Sequence, residues 1–134
     1  MRDMRDDRIT RALVREERLR ATAGLREPLA LTSWRGKSGR RYVGGVHPAN
    51  EPDLVDAADA VLIAVRRDED GTAEVVDVAA PGSFTGRQRL TWVSAARARG
   101  ATEMHVHRLA ENEADRRAVV ADLAQPAPET PLRA

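Results

Sequence analysis

The sequence predicts an α+β domain with a small mixed or antiparallel sheet built from β-hairpins and followed by helix, strand and helix. Three observations predict it. Residues 60–65, AVLIAV, are a continuous apolar run of strand length, rich in β-branched side chains. Residues 81–100 change to a helical period, with Leu90, Val93 and Ala96 as a stripe flanked by Trp92, and stop at Gly100. Residues 101–107, ATEMHVH, then alternate, so that Met104 and Val106 face one way and His105 and His107 the other.

Taken in order, residues 2–20 (RDMRDDRITRALVREERLR) contain neither proline nor glycine and carry Ile9, Leu13 and Leu19 as a narrow apolar stripe. This predicts a charged helix ended near Gly24 and Pro28. So thin a stripe cannot stabilise an isolated helix. Residues 1–28 are therefore expected to be an arm that docks a protein partner through Ile9, Leu13 and Leu19. LALTSW (29–34) and RRYVGGVHP (40–48) bracket a glycine-bearing loop and predict a first hairpin. Residues 49–59 hold four acids and no base, as expected of a loop or short helical turn. AVLIAV and AEVVDVA (73–79) flank RRDEDG and predict a second hairpin. Asn112, with Asp115 three residues on, marks the start of a last helix reaching about Leu123. The domain thus spans 29–124, and 125–134 (QPAPETPLRA) read as a flexible, proline-rich tail.

Composition narrows the function classes. The 134 residues suit one core, built mostly of Ala, Val and Leu, with Trp34, Tyr42, Phe84 and Trp92 as the only aromatics. A net charge of +1 gives no overall pull toward nucleic acid or membrane. With no cysteine, disulfides and thiolate metal sites are excluded. No apolar run approaches the ~18 residues of a membrane span, and the N-terminus lacks a signal peptide, so a cytoplasmic location is expected.

SGRRYVGGVHP, AVLIAVRRDEDG, GATEMHVH and RRAVVADLA together resemble segments of bacterial proteins related to the GIY-YIG nuclease superfamily, over residues 29 to about 124. The resemblance implies a core of strand, strand, helix, strand, helix. In that superfamily two tyrosines on paired strands, a helix arginine and a glutamate on the last helix hydrolyse phosphodiesters. The glutamate holds a divalent metal and the arginine meets the developing phosphate charge. Carried onto this chain, the tyrosine positions fall at Leu62 and near Val76, and the glutamate position at Val120. Arg87 is the retained helix arginine, with Arg89 as the fallback. Tyr42-Val43-Gly44 spells the second motif, but no tyrosine precedes it at 29–31 and no arginine-bearing helix follows it. The resemblance therefore implies a catalytically eroded relative: no catalytic set, no cofactor, and work as a small accessory subunit on a protein complex or on nucleic acid. The alternatives are a sequence-nonspecific DNA- or RNA-binding protein and a residual phosphodiesterase.

Arg35, Lys37, Arg40 and Arg41 have no acid beside them, and with Arg87 and Arg89 they form the candidate nucleic-acid-binding set. Residues 32–48 and 84–108 each sum to about +4, while acids gather in 51–59 and 68–77. His105 and His107 have chelating spacing, but no third ligand follows from spacing, so partly buried or solvent-facing histidines are expected and no metal. No small-molecule substrate is implied, and no serine lies in a GxSxG elbow.

Overall fold

The structure is a computed structural model that describes residues 14–17, 31–50 and 58–124. Among the described residues six strands form one sheet: β1 (Arg15–Glu17), β2 (Leu31–Arg35), β3 (Arg41–Pro48), β4 (Val61–Arg67), β5 (Ala73–Ala79) and β6 (Glu103–His107). Helix α1 (Gly86–Ala98) joins β5 to β6, and α2 (Glu113–Leu123) follows β6. The strand order is β1-β2-β3-β6-β4-β5, and each neighbouring pair is antiparallel. Of the two expected forms, mixed or antiparallel, the sheet takes the antiparallel one. The sheet also curls. Arg67 on β4 hydrogen-bonds Glu16 on β1, four places away in the strand order, so the face that carries them is concave.

β4 is buried on both of its faces, which explains its unbroken apolar run. On the convex face Leu62, Ala64, Met104 and Val106 pack under α1, against Ala96, Trp92 and Val93. On the concave face Val61, Ile63, Val65, Val75 and Val78 pack with Trp34 and with Val119 and Leu123 of α2. A bulge in β5 adjusts this alternation: Ala64 pairs with Asp77 and Val65 with Val75, so Val76 has no partner. Val76 and Asp77 consequently both serve the α1 side. Val76 packs on the convex cluster, and Asp77 Oδ2 accepts Trp92 Nε1–H and Arg99 Nη2–H, each at 3.0 Å.

Helix α1 starts with a reciprocal capping box in which Thr85 accepts Gln88 N–H and Gln88 accepts Thr85 N–H. It ends before Gly100 at φ 107°, the left-handed stop expected from the sequence. Its buried stripe differs from expectation in one member. Leu90 is 58% exposed, and Trp92, Val93 and Ala96 make the contact instead. Asn112 caps α2 by accepting Asp115 N–H at 2.8 Å.

The main correction falls at the N-terminus. Residues 15–17, expected within a charged helix, are an edge strand on β2. Val14 joins the concave core, and Glu16 and Glu17 meet arginines of β4, β2 and β3. Ion pairs and burial available only in the fold outweigh local helix propensity here. Ile9, Leu13 and Leu19 lie outside the described residues, as does the 125–134 tail.

Helix α2 closes one end of the curl by docking on the β2–β3 turn. Asp122 accepts Ser38 N–H (2.8 Å), Ser38 Oγ–H (2.6 Å) and Tyr42 O–H (2.7 Å). Burial pushes the Asp122 carboxyl up, but the hydrogen bonds from Ser38 and Tyr42 hold it below its usual range. A Cβ at Gly36 would overlap this carboxylate. Gly36→Ala is expected to push Asp122 off its three donors and cost about 1–3 kcal/mol in urea unfolding.

Candidate functional site

The positions assigned by the GIY-YIG resemblance do not gather at one place. Leu62 on β4 and Val76 on the β5 bulge lie together in the convex cluster under α1. Val120 packs against the cluster of the concave face. A carboxylate at position 120 would therefore face a different core from side chains at 62 and 76. Arg87 is exposed in the first turn of α1. Arg89 is half-buried; its Nη1–H donates to the Phe84 carbonyl at 3.3 Å, and its buried Nε has no partner among the described residues.

The basic set is less available than its sequence suggests. Arg35 forks onto Glu17, through Nε to Oε2 at 2.8 Å and Nη2 to Oε1 at 3.0 Å, and Arg41 Nε reaches the same carboxylate at 2.9 Å. The Arg35 guanidinium holds the Glu17 carboxyl down, to about 2, with Arg41 adding to it. Lys37 Nζ donates to the Ala121 carbonyl at 3.3 Å, in the last turn of α2, where the helix dipole favours a cation. Arg40 and Arg87 make no side-chain ion pair or hydrogen bond among the described residues. Two of the four cations of residues 32–48 thus meet an acid, because β1 brings Glu17 to the β2–β3 hairpin.

The concave face holds a polar chain that sequence reasoning did not assemble. Trp34 Nε1–H donates to His105 Nδ1 at 2.9 Å, and His105 Nε2 lies 2.9 Å from Glu103 Oε1. Glu103 in turn takes a bidentate fork from Arg67, at 2.9 and 3.0 Å. Arg67 forks again onto Glu16, at 3.0 and 2.8 Å, and Glu16 also accepts Thr32 Oγ1–H at 2.9 Å. An indole N–H only donates, so Nδ1 of His105 must accept and the proton sits on Nε2, directed at Glu103. His105 and His107 are therefore buried, at 0% and 5% exposure, rather than partly buried or facing solvent. His107 Nδ1–H donates to the Val43 carbonyl at 2.7 Å, and its ring packs edge-on to Tyr42. The only sequence signal for this chain was the shared strand face of Glu103 and His105. Nothing in the sequence placed Arg67 or Glu16 beside them.

The hydrogen bond from His105, joined by the Arg67 fork, depresses the Glu103 carboxyl to about 2 against burial that raises it. A carboxylate lowered in the fold stabilises it fully above its unfolded value and loses that contribution as pH falls through the folded one. Glu103 therefore supports the fold above about 4.5 and ceases to do so toward 2. Acid unfolding followed by circular dichroism is expected to be less steep over that window in Glu103→Gln.

Described residues also line surface hollows away from this polar chain. One, about 450 Å³, lies between the Pro81–Ser83 turn and the start of α2, and is lined by Asp59, Gly82, Glu113, Arg116 and Arg117 among others. Another, about 260 Å³, is an apolar groove on β2, β3 and β6 lined by Leu31, Val43, Gly45, Val106 and Leu109. Leu109, at 70% exposure, forms part of its rim. Among the described residues no group of three or more His, Cys, Asp or Glu is placed to hold a metal ion. Among them, too, no helix is long and apolar enough to cross a membrane. No protein-family model, curated protein or solved structure matches this chain.

Proposed function

We propose that this chain is a non-catalytic binding module of GIY-YIG type, acting as a small accessory subunit docked on a protein partner. The succession β4, β5, α1, β6, α2 supports the type, being the strand, strand, helix, strand, helix order that the resemblance implies. Leu62, Val76 and Val120 support the loss of catalysis, because aliphatic side chains packed in two cores supply neither a metal ligand nor a proton acceptor. The observation that carries the choice of a protein partner over nucleic acid is the engagement of Arg35, Lys37, Arg41 and Arg89 with groups of the protein itself. Phosphates would have to compete with those groups. The proposal places the contact on the arm, at Ile9, Leu13 and Leu19.

A second reading, nonspecific DNA or RNA binding, draws on Arg40 and Arg87, the two members of the candidate set without a side-chain partner among the described residues. One set of experiments separates the readings. Purified protein with Mg²⁺ is expected to leave supercoiled plasmid and structured RNA uncut. Ile9→Asp with Leu13→Asp is expected to abolish recovery of a co-purifying protein, while Arg40→Ala with Arg87→Ala leaves recovery intact. Salt-sensitive retardation of duplex DNA, lost in the arginine pair, supports the second reading instead. Metal-dependent cleavage lost in Arg87→Ala restores a residual phosphodiesterase.

A further inference from the structure

We propose that His105 is a proton-operated latch on Trp34, closed when its imidazole is neutral and opened by a proton at Nδ1. The geometry allows one neutral arrangement. Trp34 and His105 are both fully buried, their rings 5.9 Å apart, and the indole N–H occupies the Nδ1 lone pair. A proton on Nδ1 would set two N–H groups against each other at 2.9 Å, so that hydrogen bond cannot survive protonation. The buried indole N–H would then lack an acceptor and must move to find water.

The other ring nitrogen faces a carboxylate. His105 meets Glu103 on β6, which Arg67 on β4 links to Glu16 on β1; the neighbouring His107 on β6 packs on Tyr42 of β3, which donates to Asp122 of α2. Within the bonded chain the two glutamates and one arginine sum to −1, and a histidinium would bring this to zero. Nε2–H already points at Glu103, so a charged ring keeps its carboxylate partner and loses only Trp34. The two protonation states thus differ in whether the ring ties β6 to another strand. The neutral ring ties it to β2 through Trp34. The charged ring keeps only its bond to Glu103, on β6 itself.

Nuclear magnetic resonance of the whole chain with ¹⁵N-histidine tests this without any substitution. Near neutral pH His105 is expected to show the Nε2–H tautomer, with Nδ1 unprotonated. On acidification both nitrogens should become protonated while backbone dispersion persists. Hydrogen exchange of the Trp34 indole should accelerate about tenfold or more in the same step. In Trp92→Phe, fluorescence from Trp34 alone should shift to the red with the same dependence. Retention of the slow indole exchange after His105 is protonated overturns the latch. So does a His105 that stays neutral until the chain unfolds.

Discussion

Arg67→Met is expected to lower unfolding free energy by about 3 kcal/mol, measured by urea denaturation with the slope unchanged. The guanidinium is 19% exposed and lies between Glu16 and Glu103, at 9% and 21%. Methionine fills much of the stem's volume, so the cost comes from two carboxylates left facing each other without a cation. Residual contact with solvent keeps it at the low end of the range for breaking a buried pair. Replacing the whole set, Glu16→Leu with Arg67→Met and Glu103→Gln, is expected to recover most of the loss. Gln keeps an acceptor for His105 Nε2–H, and no orphaned charge remains. A triple variant as unstable as Arg67→Met would show that packing of the arginine stem, not charge pairing, was responsible.

Deletion of residues 1–26 is expected to lower the melting temperature by about 10 °C or more. The deletion removes Val14 from the concave core, worth roughly 1.5–3 kcal/mol if fully buried. It also removes Glu16 from Arg67, and Glu17 from Arg35 and Arg41. The narrow stripe of Ile9, Leu13 and Leu19 alone pointed to a separable arm, whose loss would leave stability nearly unchanged. The strand at 15–17 makes part of that segment a component of the sheet. Calorimetry of the truncated chain decides between these, and an unchanged melting temperature would falsify the structural role of β1. For the same reason, partner docking has to be tested by point substitutions at Ile9 and Leu13 rather than by truncation.

The α+β class, both hairpins, the two helices after β5, and the Gly100 and Asn112 boundaries are all legible in the linear chain. These features are local. A capping side chain, a left-handed glycine or a run of β-branched residues acts within a few positions, so its signal survives in a linear reading. Also legible is which side chains share a face of β6, because alternation follows from strand geometry alone. The tertiary structure decided the rest. It placed Arg15–Glu17 in the sheet, since the arginines that hold Glu16 and Glu17 lie 18 to 51 residues further along. It set the bulge at Val76, which only the pairing register reveals. It gave most of the basic candidates partners on the protein itself, and it buried His105 between a tryptophan 71 residues away and a carboxylate two residues away. Charge pairing and burial are properties of distance in space, and a curled sheet brings together residues whose separation in sequence carries no sign of it.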